Sequence, residues 1–357
     1  MAKIELAGLG HRYPGNDTYS LQPQTMVWED GGAYALLGPS GCGKTTLLNI
    51  ISGLLVPSEG RVLFDGRDVT SLPTERRNIA QVFQFPIIYD TMTVFDNLAF
   101  PLRNRKLAEP EVRSRVQEIA EILDLSADLK RRASGLSAED KQRISLGRGL
   151  VRKDVAAVLF DEPLTVIDPH VKWLLRRQLK RIHHQLKLSL IYVTHDQIEA
   201  LTFADRVVVM YQGQVVQMGT PQDLFETPAH TFVGHFIGSP GMNLLPCELN
   251  GSSIRIAEQS FAIDAALATR LAQVGKPLTL GVRPEFIQCA PGGEKAGLSA
   301  KVVRLEDLGT SKLLTVHLGG HQMKVKLGEH AQINADHVQL ALQPARTMFY
   351  ADDQRVA

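Results

Sequence analysis

Gly38-Pro39-Ser40-Gly41-Cys42-Gly43-Lys44-Thr45 lies between an apolar run, Ala33 to Leu37, and an apolar segment, Thr46 to Leu55. The spacing is that of a phosphate loop set between a strand and a helix. Such a loop wraps a phosphate so closely that successive backbone N–H groups point at its oxygens, and glycine permits both the approach and the dihedral angles. Lys44 is expected to put its charge on the β- and γ-phosphates, and Thr45 to offer a hydroxyl to Mg²⁺. The helix that begins there turns its positive end to the anion. Gly38, Ser40, Gly41, Cys42, Gly43, Lys44, Thr45 and Thr46 are therefore the candidate nucleotide-binding set. Cys42 reads as a small filler or, if accessible, as a thiol open to alkylation.

Apolar runs bounded by turn residues recur on both sides of the loop. Val62 to Phe64, Val155 to Phe160, Leu190 to Val193 and Val207 to Met210 read, like Ala33 to Leu37, as buried strands. Val112, Val116, Ile119 and Leu123 share one face of a helix with Pro110 near its start. Val171, Leu174, Leu175, Leu179, Ile182 and Leu186 mark a second helix. This alternation predicts an α/β domain with a largely parallel sheet covered on both faces. Beyond Gly238-Ser239-Pro240-Gly241, short strand-like runs dominate, among them Leu278 to Val282, Lys301 to Leu305 and Lys312 to His317. The expected division is a nucleotide-binding domain over 1–237 and an all-β domain over 238–357, an open barrel of OB type.

Hydrolysis of a bound nucleotide also needs a carboxylate for the metal and a group that orients water. Val158-Leu159-Phe160-Asp161-Glu162 supplies two acids at the end of a buried strand. Asp161 is expected to hold Mg²⁺ through its water shell, and Glu162 to polarise the attacking water. His195, in Tyr192-Val193-Thr194-His195-Asp196, follows another buried strand, where α/β folds place ligands. It is expected to bond the γ-phosphate and the water.

The bulk numbers bound what else the chain can be. A length of 357 residues suits two domains, and 44% apolar with 22% charged residues is ordinary for a globular protein. The helix from Val171 carries Lys172, Arg176, Arg177, Lys180, Arg181 and Lys187, but the formal net charge is only +1. A solvated face accounts for them better than a nucleic-acid patch, and no nucleic-acid partner is expected. Cys42, Cys247 and Cys289 form neither a disulfide framework nor a metal-ligand pair, which fits a reducing cytoplasm. The N-terminus lacks the apolar core of a signal peptide, and no apolar run nears the roughly 20 residues that span a bilayer. Work at a membrane would require docking onto another chain.

In motif order the chain resembles the ATP-binding cassette family, specifically the importer ATPases of the sugar and polyol type. The resemblance covers nearly the whole chain and implies ATP and Mg²⁺ as cofactors, with a helical subdomain at about 88–150. It gives Gln84, in Gln81-Val82-Phe83-Gln84, the role of the residue that senses Mg²⁺ and faces the membrane subunits. Ser137, in Leu136-Ser137, takes the place of the signature serine, Asp168, in Val166-Ile167-Asp168, belongs to the dimer-crossing loop, and His195 matches the switch histidine. Tyr13 fits the aromatic that stacks on adenine. The segment Phe85 to Leu98, with exposed-looking Ile87, Ile88 and Tyr89, would receive the permease subunits. A solute-binding protein is a further implied partner, and the chain would sit at the cytoplasmic face of the inner membrane. Gly238 to Asn243 and Gly281-Val282-Arg283-Pro284-Glu285 match the family's accessory β-domain, which is either regulatory or a passive dimerisation extension.

One stretch departs from the family. Its signature usually reads Leu-Ser-Gly-Gly-Gln, whereas this chain has Leu136-Ser137-Ala138-Glu139-Asp140-Lys141-Gln142-Arg143. A carboxylate about 6 Å from a phosphate charge costs roughly 2–3 kcal/mol at an effective dielectric near 20, a cost that Lys141 is expected to offset in part. In this family the signature acts on the partner's nucleotide. An intact site beside an altered signature therefore predicts a heterodimer with a second, non-identical ATPase, as in glycerol importers with two ATPases. The alternative is an ATP-binding regulatory or degenerate-site subunit with little hydrolysis of its own. A soluble kinase or nucleic-acid motor would leave Gln84, Ser137, His195 and the β-rich tail unexplained.

Overall fold

The computed structural model describes residues 2–165, 167–291 and 297–357. The chain forms two compact units, Met1–Pro221 and Gln222–Ala357. Val166, named above with the dimer-crossing loop, lies outside the described residues.

The first unit runs β1 (Ile4–His11), β2 (Leu21–Trp28), β3 (Ala33–Leu37), α1 (Lys44–Ser52), β4 (Glu59–Phe64), β5 (Arg67–Asp68), β6 (Ile79–Val82), α2 (Val94–Arg103), α3 (Glu109–Ile122), α4 (Ala138–Leu150), β7 (Ala157–Asp161), α5 (Pro169–Leu186), β8 (Leu190–Thr194), α6 (Gln197–Phe203), β9 (Arg206–Tyr211) and β10 (Gln214–Gly219). Two sheets result, in the orders β2-β1-β4-β5 and β10-β9-β3-β8-β7-β6. In the second, β9, β3, β8, β7 and β6 are parallel and β10 is an antiparallel edge. All five residues of β3 and of β8 are buried, as continuous apolar runs covered on both faces require.

Val62 to Phe64 corrects the single-sheet expectation. They end β4, which pairs antiparallel with β1 (Ile4 opposite Phe64, Leu6 opposite Val62), outside the parallel sheet. Only every other side chain at that end is buried, so this strand has one covered face, whereas β3 and β8 have two. The antiparallel sheet also holds Trp28, 1% exposed and 5.8 Å from the Tyr34 ring. On α5, Leu175, Leu179 and Ile182 are fully buried, but Leu174 is exposed, beside Trp173 at 53%. The apolar stripe of that helix is narrower than its sequence implies.

The register brings the functional loops to one edge. Leu37 stands opposite Thr194, and Asp161 opposite Val193. Because β3, β8 and β7 are parallel neighbours, the segments that follow them leave the same edge of the sheet, where open α/β sheets bind ligands.

The second unit begins in α7 (Pro221–Glu226), continues through α8 (Thr231–Phe236), and is otherwise almost all β. Two antiparallel sheets, of six and five strands, enclose a core that includes Leu280, Val316, Val325 and Phe349. Arg283 is fully buried there, with its guanidinium 3.9 Å from the Phe225 ring and donating to the carbonyls of Leu224, Phe225, Gly234 and Ile237.

Candidate functional site

Two glycines shape the loop after β3. A Cβ at Gly38 would lie 2.2 Å from the Met210 carbonyl oxygen and 2.8 Å from Cys42 Sγ. Gly43, at φ 98°, ends the loop and starts α1, and a Cβ there would meet the Ser20 carbonyl at 2.6 Å. Lys44 is buried, its ammonium donating to the carbonyls of Gly38 at 2.8 Å and Pro39 at 2.9 Å. The lysine is thus held along the loop it serves. Cys42 is buried behind it, and burial pushes its thiol up from the ordinary range, which favours the filler reading over the alkylatable one.

A cavity of about 400 Å³ opens over this loop, lined by Ser40, Gly41, Gly43, Lys44, Thr45 and Thr46 together with Tyr13, Ser20 and Glu162. Tyr13 is held at its rim. Its hydroxyl shares a 3.2 Å hydrogen bond with Thr46 Oγ1, and its ring meets His11 edge-on at 4.7 Å. Ser20 escaped the sequence reading because a lone serine in a turn-rich stretch carries no pattern.

Asp161 ends β7, where its Oδ1 accepts a 3.3 Å hydrogen bond from Thr45 Oγ1. Burial, reinforced by the neighbouring Glu162 charge, raises its carboxyl above the ordinary range, although Thr45 and Lys44 pull the other way. Glu162 turns away in the left-handed region, φ 46°, which costs a non-glycine residue about 1–2 kcal/mol. Its N–H donates to the Val193 carbonyl at 3.0 Å, and its Oε2 meets His195 Nδ1 at 3.1 Å. The two residues expected to handle water thus touch one another beside the phosphate loop.

Other candidates stand apart. Gln84 is half-buried in the loop after β6, and no hydrogen bond among the described residues joins it to Thr45, Asp161 or Glu162. In the segment after it, Phe85, Ile87 and Tyr89 are exposed, but Ile88 is half-buried, contrary to the sequence expectation. Asp168 caps α5 by accepting from the His170 N–H at 2.9 Å. Ser137 caps α4, accepting from the Asp140 N–H at 3.1 Å while donating to Asp140 Oδ2 at 2.8 Å. Lys141 pairs with Asp90 at 2.9 Å rather than with Glu139 or Asp140, and Glu139 pairs with Arg143, one helical turn on.

A phosphate loop at the edge of a parallel sheet, flanked by an acidic pair and a histidine from the adjacent strands, defines the class of phosphate-loop nucleoside triphosphatases. Family models divide the chain further: residues 21–165 match the ABC transporter family, 238–287 the MalK OB fold domain and 280–349 the TOBE domain. The chain belongs to the ABC transporter ATP-binding family. It is 39% identical over 327 residues to the sn-glycerol-3-phosphate import ATP-binding protein UgpC of Bordetella parapertussis, covering 91% of this chain and 89% of that one. It is also 39% identical over 338 residues to an uncharacterized ABC transporter ATP-binding protein, YurJ, of Bacillus subtilis, with 90% of each chain covered. Among solved structures, cbiO1 of Clostridium perfringens, part of the ABC transporter complex cbiONQ, matches with a TM-score of 0.58 at 28% identity, over 63% of this chain and 90% of that one. The chain is accordingly an ATPase that drives transport in company with permease subunits. No helix among the described residues is long and apolar enough to cross a membrane.

Proposed function

We propose that this chain binds Mg·ATP over its phosphate loop, hydrolyses it, and so energises import of a small polyol or sugar through separate permease subunits at the cytoplasmic face of the inner membrane. The observation that carries the reading is the 3.1 Å contact between Glu162 and His195 beside the loop. A carboxylate that touches an imidazole there can orient and deprotonate a water while the imidazole donates to the γ-phosphate. Backbone N–H groups of Gly41 to Thr45 would hold the β-phosphate, Lys44 would turn from its carbonyls to the β- and γ-oxygens, and Tyr13 would stack on adenine. Gln84 would join the site on closure. On this reading the nucleotide-binding domain is 1–237, with its helical subdomain at about 88–150, and the accessory domain is 238–357, although residues 222–237 belong to the second compact unit.

The residues fit a magnesium ion. Thr45 Oγ1 and Asp161 Oδ1, 3.3 Å apart, would hold it, the hydroxyl directly and the carboxylate through water. Among the described residues no cluster of three or more metal-ligating side chains exists. Both facts suit an ion that completes its shell with phosphate and water. When bound, it supplies charge neutralisation on the β- and γ-phosphates.

The name of the Bordetella relative supports a glycerol-like solute, and a solute-binding protein would present it. The second ATPase is proposed as non-identical on the signature stretch alone. Ala138 and Glu139 replace the glycines, and Asp140 engages the Ser137 hydroxyl that the nucleotide bound to the second ATPase would need. The regulatory alternative is disfavoured by the intact pairing of Glu162 with His195.

Glu162→Gln in the assembled transporter tests the reading. ATP binding is expected to stay within about twofold of wild type while turnover falls about 10²–10⁴-fold, the range of a lost general base. Unchanged turnover would refute it.

A further inference from the structure

Behind His195 lies a buried polar cluster that the proposed reaction does not use. Glu199, 3% exposed on α6, receives two hydroxyls on one oxygen: Tyr192 at 3.0 Å and Thr194 at 2.9 Å. Its other oxygen faces Lys172 Nζ at 3.6 Å. Thr194 Oγ1 in turn accepts from the Asp196 N–H at 3.0 Å, and Asp196 caps α6 by accepting from the Ile198 and Glu199 N–H groups at 2.8 and 3.2 Å. Both sequence neighbours of His195 are therefore tied into one network centred on a single carboxylate. A buried carboxylate without such partners would be costly, so the cluster has one strongly preferred arrangement.

Lys172 gives that network a second end. It stands in the first turn of α5, the helix capped by Asp168, whereas the other side-chain partners of Glu199 among the described residues, Tyr192 and Thr194, belong to β8. A displacement of the α5 start changes the lysine–carboxylate separation. Glu199 can answer it only by moving against Thr194, and thus against the backbone that carries His195.

We propose that Glu199 is a positioning residue for His195, and that Lys172 couples that position to the start of α5. This rests on the reading of His195 as a group that acts on the γ-phosphate and water. The network holds the imidazole in reach of Glu162 when α5 is in one place and relaxes it when α5 shifts. It touches no nucleotide, so its loss changes the rate and spares binding.

In the assembled transporter, Lys172→Met and Glu199→Gln are each expected to lower kcat about tenfold, the scale of losing a group that orients a site residue. KM for ATP should stay within about twofold. Lys172→Arg should recover most of the rate, and the double variant should be no slower than the worse single one, because both act through one network. His195→Ala separates the two ideas. If it leaves turnover unchanged, the reading of the site fails. If it abolishes turnover while Lys172→Met runs at the wild-type kcat, the coupling proposal fails and the site reading stands. A loss that appears in KM, or one accompanied by a lower melting temperature that Lys172→Arg does not repair, marks the cluster as packing only and equally overturns the proposal. Should Glu199→Gln not fold, Lys172, which is only partly buried, carries the test alone.

Discussion

Asp161 shows how single residues bear stored cost. Its carboxyl is raised by burial and by Glu162, so between the ordinary carboxylate range and the raised value the folded chain holds a proton that the unfolded chain has lost. Stability therefore falls as pH rises through that window and remains reduced at neutral pH. Asp161→Asn should raise the melting temperature of the nucleotide-free protein at pH 7, and the gap should close as pH is lowered towards the carboxylate range. The same change should cut Mg²⁺-dependent turnover at least about 100-fold, measured by phosphate release. Gly38 and Gly41 differ in kind. Gly38→Ala drives a methyl against the Met210 carbonyl and should abolish nucleotide binding. Gly41, at φ 80°, has no protein atom within 4 Å of its missing Cβ, so in the nucleotide-free protein an alanine there meets only dihedral strain. Gly41→Ala should cost only about 1 kcal/mol in urea unfolding of the nucleotide-free protein.

At the scale of elements, one device recurs: a buried arginine closes the C-terminal end of a helix. Arg77 donates to the Ile50 and Ile51 carbonyls of α1, and Arg115 to the Leu150 and Val151 carbonyls at the end of α4. Arg283 does the same for α7 and α8. Each replaces several water contacts of orphaned carbonyls with fixed, charge-assisted bonds. Arg283→Met should destabilise the second unit by about 3 kcal/mol, read from the shift of its calorimetric transition. None of these arginines was legible in advance, because a lone arginine in a polar stretch looks like surface. The strands β3, β7, β8 and β9 were legible because burial on both faces writes an unbroken apolar run. β1 and β2 were not, since one solvated face and the glycines of Ile4–His11 dilute the pattern. Of the site, the residues at strand ends could be read in place. The Glu199 cluster could not, because its members come from separate elements and meet only after folding.

Across the whole molecule, the altered signature sets the expected behaviour of the isolated chain. Its ATPase should be slow and without cooperativity in ATP. The triple change Ala138→Gly, Glu139→Gly, Asp140→Gln frees the Ser137 hydroxyl and removes the Glu139 charge, so it should raise that rate about tenfold and make it sigmoidal. Steady-state kinetics on the purified chain checks both. The division into an α/β part and a β-rich part was visible in the change of texture near residue 238, whereas the compact units meet at Pro221 and Gln222 because α7 and α8 pack with the second. The two tryptophans make part of this organisation visible to light. Trp28 and Trp173 both belong to the first unit, one sealed in the antiparallel sheet and one exposed on α5. Indole emission therefore reports that unit and is blind to the other. The sealed ring should emit to the blue and resist quenchers. The exposed ring, with the Arg177 guanidinium 5.7 Å from its centre, should emit to the red and be quenched by iodide more readily than by caesium. A single emission spectrum with two quenchers can thus follow the start of α5 and the sheet separately, with no label attached.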